Sequence, residues 1–149
     1  MANEGNANNK NPVFIVKGQY VKDLSFENPN APHSLLIAGN SPKIEVSVDL
    51  KAVKIQEDVY EMILHLTAKS TTMDGKALYL AELVYAGIFE IANVPEERLE
   101  SLLMIECPFV LFPFARRVIS DITRDGGFPP LMLDPIDFHT LYLQNKRAS

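Results

Sequence analysis

The stretch Lys76-Ala-Leu-Tyr-Leu-Ala-Glu-Leu-Val-Tyr-Ala-Gly-Ile-Phe-Glu-Ile91 sets the hardest constraint on how this chain folds. Its odd positions Ala77, Tyr79, Ala81, Leu83, Tyr85 and Phe89 are apolar, and so are the even positions Leu78, Leu80, Val84, Ala86 and Ile88. Successive side chains of a strand point to opposite faces, so a strand here is apolar on both. The chain's own helices can bury one face; the other needs a second cover, expected from another subunit. Glu82 is the single charge between Lys76 and Glu90. It is expected at a strand edge, a subunit rim or a docking site.

The sequence before this stretch alternates with period two. Phe14, Val16, Tyr20, Leu24 and Phe26 fall on one face, and Lys17, Gln19, Asp23, Ser25 and Glu27 on the other, with Lys22 a misfit. Asn28-Pro-Asn-Ala-Pro32 ends that strand, because each proline removes a donor. Beyond a turn at Gly39–Pro42, Ile44, Val46, Val48 and Leu50 alternate with charged and polar residues. A third run follows, with Tyr60, Met62, Leu64, Leu66 and Ala68 facing in. Asp74-Gly75 signals a hairpin into the opening stretch. Four strands with short links predict an antiparallel meander.

The period then changes. Asn93-Val-Pro-Glu-Glu-Arg98 starts a helix that Pro108 and Pro113 are expected to break or kink. Leu111, Ala115, Val118, Ile119 and Ile122 form a stripe at helical spacing, ended by Gly126-Gly127. Phe128-Pro-Pro-Leu-Met-Leu133 reads as an extended apolar crossover able to wall a groove. A last helix is expected from Asp134-Pro135, carrying Phe138, Leu141 and Tyr142 on one face. The fold class is therefore α+β, four antiparallel strands and then helices. Residues 1–12 read as a disordered tail, 13–145 as one domain and 146–149 as a short C-terminal tail.

With 149 residues one core is affordable, and a net charge of −5 disfavours nucleic acid, which needs a basic face. No segment reads as a signal peptide or as long enough to span a bilayer, so a cytoplasmic protein without direct membrane insertion is expected. The single cysteine, Cys107, sits in Ile-Glu-Cys-Pro-Phe-Val, an apolar setting that blunts a thiol. His33, His65 and His139 have no ligand spacing, and no glycine-rich phosphate loop opens a helix. Asp23 and Glu27, four apart on a strand, are about 13 Å apart, too far for an acid/base pair. The expectation is a binding protein with no cofactor and no metal; a small-molecule enzyme on the same scaffold is the rival from another class. An apolar groove would take extended chain through main-chain pairing and shallow pockets.

Five blocks carry a family resemblance: Tyr20-Val-Lys-Asp-Leu-Ser-Phe-Glu-Asn-Pro-Asn-Ala-Pro32; Asp58-Val-Tyr-Glu61; Gly87-Ile-Phe89; Cys107-Pro-Phe-Val-Leu-Phe-Pro-Phe-Ala-Arg116; and Phe128-Pro-Pro-Leu-Met-Leu133. In this order they resemble SecB, the bacterial protein-export chaperone. The resemblance implies a homotetramer built as a dimer of dimers, sheets outside and helices between. It implies an ATP-independent holdase that keeps secretory preproteins unfolded and passes them to the translocation ATPase SecA. A SecB-like chaperone of a toxin–antitoxin system is the alternative. By position, the SecA-docking surface maps to Asp23, Glu27, Leu80 and Glu82, and the client groove to Tyr20, Tyr79, Phe89, Phe114, Leu131 and Leu133. SecA's zinc-binding tail is basic, which suits a carboxylate surface. The loop from Ser34 to Pro42 is longer than the family's and lacks its tryptophan, so no groove residue is assigned there. The chain also ends without an acidic tail.

Overall fold

Period-two patterning produces β1 (Val13–Glu27), β2 (Lys43–Gln56) and β3 (Val59–Thr71), and the stretch apolar on both faces forms β4 (Ala77–Ala92). The computed structural model describes residues 11–37 and 41–148. The expected tail over residues 1–12 falls almost wholly outside these, as do Gly39 and Asn40 of the expected turn.

All neighbouring strands pair antiparallel, in the order β1-β4-β3-β2. Hairpins join β2, β3 and β4, but β1 lies beside β4, so the expected meander is corrected to a Greek key. β1 and β2 stand at opposite edges of the sheet, and the stretch between them is too long for a hairpin. That stretch includes a one-turn helix, α1 (His33–Leu36), that the sequence pattern does not announce. The β3–β4 hairpin forms as expected: Gly75 adopts φ +91°, and the Thr72 and Lys76 amides donate to the Lys76 carbonyl (2.8 Å) and the Thr72 hydroxyl (2.9 Å). The constraining strand β4 is interior, so Glu82 lies away from either sheet edge.

Two β-bulges correct the reading of β1. The register shifts between Val16 and Gly18 and again between Val21 and Asp23, leaving Lys17 and Lys22 as extra residues. Each bulge inverts the alternation. Phe14, Val16, Leu24 and Phe26 share the face of buried Phe89, Leu83 and Ala81, whereas Tyr20 lies opposite Ala86 on the other face. Gln19 goes inward, where its Oε1 accepts from the Tyr85 hydroxyl at 3.0 Å. Lys22, the misfit of the pattern, is a bulge residue.

The core forms where the even positions of β3 and odd positions of β4 meet the helices; Met62, Leu64, Leu66, Leu83 and Phe89 are buried there. Leu111, Ala115 and Ile119 of the expected stripe are fully buried against them. Val48 and Leu50 are half-buried at the rim, but Ile44 and Val46 near the start of edge strand β2 stay exposed.

The prolines do not end the helix. α2 (Glu96–Ser101) passes into a π-helical segment, Leu102–Glu106, and then α3 (Cys107–Asp125) without interruption. The Cys107 amide reaches back five residues to the Leu102 carbonyl. That wider turn accommodates Pro108, whose ring would crowd the carbonyl four residues back in a regular α-helix. Pro113 sits inside α3 on its exposed side, where water can serve the carbonyl it orphans. The last helix, α4 (Phe138–Ala148), starts later than expected, because Asp137 supplies the cap. The Thr140 amide donates to its carboxylate at 3.1 Å and the Thr140 hydroxyl at 2.8 Å.

Candidate functional site

The crossover after α3 is anchored by one buried hydroxyl. Thr123 is fully buried; its O–H is directed at the carbonyls of Ile119 (2.9 Å) and Ser120 (3.0 Å), and its oxygen accepts from the Leu131 amide at 2.9 Å. Gly127 turns the chain at φ +94°, and the Phe128 amide donates back to the Thr123 carbonyl at 3.1 Å, closing the helix end. Asn28 ties β1 to this point by donating to the Gly126 carbonyl at 3.0 Å. Phe128 thereby packs against Tyr79 (centroids 4.9 Å apart) and Phe26 (6.4 Å), and Phe26 stacks on Tyr79 at 5.5 Å.

Above this aromatic trio lies an open recess of about 330 Å³, walled by Leu35 and Ile37, Pro42, Thr72 and Leu78, and Phe128 and Pro129. Its lining is mostly apolar, so it suits the apolar side chains of a polypeptide more than a charged metabolite. Of the crossover, Phe128 and Pro129 wall this recess. Leu35 and Ile37 were missed at the sequence level; the apolar run Leu35-Leu36-Ile37 in a proline-bounded loop is the signal that could have found them.

The six proposed groove residues do not converge. Tyr79, Phe89 and Leu133 are core side chains, at 4%, 0% and 6% exposure. Leu131 is half-buried, Phe114 is exposed on α3, and Tyr20 lies on the opposite face of the sheet from Tyr79 and Phe89. None of the six lines the recess; Tyr79 packs against Phe128, which does.

Asp23, Glu27, Leu80 and Glu82 do come together. Glu82 faces Ser25, Leu80 faces Glu27 and Val84 faces Asp23, so all four lie on the outer face where β1 and β4 adjoin. Asp23 and Glu27 are diagonal neighbours of Glu82, a spacing of about 7–8 Å. Among the described residues none of these three carboxylates has an ion pair or a side-chain hydrogen bond. Leu80, Val84 and Ile88 on this face remain only half-buried, so the second cover that β4 needs does not come from the described chain.

Beside the carboxylates, one side chain collects two partners. Glu61 Oε2 accepts from the Tyr20 hydroxyl and from Lys22 Nζ at 3.0 Å. Burial first, then the hydrogen bond and the charge of Glu61, push Tyr20 up to about 12. The Tyr20 hydrogen bond, helped by Lys22, holds Glu61 below the usual carboxylate range. Cys107 is fully buried, and burial followed by the Glu106 charge pushes its thiol up to about 12, the opposite of an activated nucleophile. Among the described residues no group of three His, Cys, Asp or Glu side chains could hold a metal ion. No described helix is long and apolar enough to cross a membrane.

A family model described as "Preprotein translocase subunit SecB" matches residues 7–149. The chain belongs to the SecB family. It is 54% identical over 147 residues to the protein-export protein SecB of Parvibaculum lavamentivorans, covering 99% of this chain and 87% of that one. It is 51% identical over 144 residues to the SecB of Bartonella bacilliformis, covering 95% and 90%. A solved SecB-like chaperone of Mycobacterium tuberculosis, in complex with a ChAD peptide from the HigA1 antitoxin, superposes with a TM-score of 0.68. It covers 83% of this SecB-family chain and 90% of that one at 14% identity, which speaks to the fold alone. Relatives at about half identity carry the protein-export name, and this favours export over the toxin–antitoxin alternative.

Proposed function

We propose that this SecB-family chain is an ATP-independent holdase that keeps secretory preproteins unfolded in the cytoplasm and delivers them to SecA. The observation that carries the reading is a division of labour across one sheet. Its helix side ends in an apolar recess walled by the crossover, and its outer side carries Glu82 between Asp23 and Glu27, three carboxylates without an ion pair among the described residues. Non-native polypeptide presents apolar side chains, whose burial contributes roughly 25 cal/mol per Å² without demanding a sequence. The basic zinc-binding tail of SecA meets Asp23, Glu27 and Glu82 with opposite charge.

The assembly is a homotetramer, a dimer of dimers. Supporting it are the unpaired edge of β1, with Ile15 and Val21 at 48% and 45% exposure, and the uncovered Phe109 (66%) and Phe114 (45%) on α3. Apolar groups of that size favour a partner surface. Right-angle light scattering of an unfolding secretory precursor tests the function: stoichiometric tetramer suppresses aggregation without ATP. Unchanged aggregation would sink the reading.

A further inference from the structure

We infer that Glu61 is a positioning residue for the acidic docking face: by holding Tyr20 and Lys22 together, it fixes the bulge that turns Asp23 and Glu27 outward beside Glu82. The inference rests on the docking reading given above and names what builds that surface.

Register is the physical issue. Val21 faces Tyr85 on the core side, and Asp23 faces Val84 on the outer side; the extra residue between them is Lys22. Were Lys22 drawn into the ladder opposite Val84, every later side chain of β1 would change face. Asp23 and Glu27 would turn toward the helices, and Leu24 would leave Leu83 and stand opposite Glu82. Apolar burial resists this slip only in part, because Leu24 is 39% exposed and Phe26 half-buried. Polar contacts supply the rest. Tyr20 and Lys22 flank Val21 and end on the same oxygen of Glu61, which reaches them from β3 across β4. The pair is sheltered, with the Glu61 side chain at 13% exposure against 40% for Lys22. The other bulge is built on the same plan: Lys17 pairs with Glu90 at 3.1 Å, with side chains at 49% and 32% exposure. Of the two lysine-marked bulges, the one adjoining the docking carboxylates has the less exposed acid.

The test uses the assembled full-length protein, with methyl NMR to read register and titration with SecA to read docking. Wild type shows the Leu24–Leu83 methyl contact. Glu61→Ala loses it and weakens SecA binding about tenfold, the equivalent of about 1.4 kcal/mol. Glu61→Gln still accepts from both partners, and it keeps the contact and an affinity within about twofold of wild type. A Glu61→Ala protein that retains the Leu24–Leu83 contact overturns the proposal, as does one whose affinity falls with the contact intact, since Glu61 would then touch the partner itself. If the contact is lost and affinity is unchanged, the proposal is also wrong. Glu82→Lys, run alongside, tells whether the docking reading failed too, because under that reading it must weaken binding on its own. Should Glu61→Ala not fold, Lys22→Met removes one arm only and must reduce both the contact and the affinity; no change in either overturns the proposal.

Discussion

Phe89→Ala separates two roles that this position could have. The ring is fully buried, opposite Tyr60 on one side and Val16 on the other, with Phe14 at 5.6 Å. Its edge also lies beside Gly87, where a Cβ would meet Phe89 Cε1 at 3.0 Å and Leu111 Cδ2 at 2.7 Å, so strand and helix leave no slack around it. Such a site cannot collapse when the ring is removed, and the expected cost is about 3–5 kcal/mol, near the upper end for a large-to-small change. For a domain of this size each kcal/mol lowers Tm by about 2–4 °C, which gives a drop of roughly 6–20 °C. Circular dichroism melts at matched protein concentration read it, since assembly makes Tm concentration-dependent. Client protection is then measured well below the variant's Tm, where the protein is folded. Protection per folded molecule should equal wild type. An unchanged Tm with lost client protection would refute the reasoning and make Phe89 a groove residue.

Three further expectations follow from the same geometry. Glu82→Lys reverses a charge among Asp23, Glu27 and Leu80 and should weaken SecA binding about tenfold while leaving client protection and native mass unchanged; joint loss of all three would make Glu82 an assembly residue. Alkaline titration followed by tyrosinate absorbance, in which Tyr79 and Tyr85 are also raised by burial, should lose a component near pH 12 in Tyr20→Phe. Because the folded value of Tyr20 is raised, the stability it contributes is complete below about pH 10 and is lost as pH climbs from there to about 12. Gly87→Val should cost about 1–3 kcal/mol by overpacking against Leu111, read as a lower urea midpoint, and Leu111→Ala in the same chain should recover part of it.

Much of the fold was legible because period two is strong in β2 and β3, β4 reads as a strand apolar on both faces, and the helical stripe Leu111–Ile122 follows period 3.6. Connectivity was less legible. Short links favour a meander, but nothing in local pattern says that β1 and β2, consecutive in the chain, stand at opposite edges of the sheet and leave β1 beside β4. The bulges of β1 were hidden because residues beyond each lysine resume an acceptable alternation, so that only Gln19 and Tyr20, between the bulges, land on the unexpected faces. For the proposed docking face, Asp23, Glu27 and Glu82 could be carried over by position, and strand register brings them together. The groove was harder. Large apolar side chains serve cores by default, and Tyr79, Phe89 and Leu133 do so here, while the recess draws on Leu35 and Ile37 from a loop with no period at all.

Lys17 and Lys22 can be viewed as a frameshift and its suppressor written into one strand. Only the window between them is read in the other phase; Phe14 and Val16 before it and Leu24 and Phe26 after it keep a common frame. Insertions and deletions in β1 should therefore be accepted in compensating pairs. A chain that lost both extra residues would keep its two ends in phase with each other. A chain that lost one would carry a sheet whose two halves disagree about which side is inside.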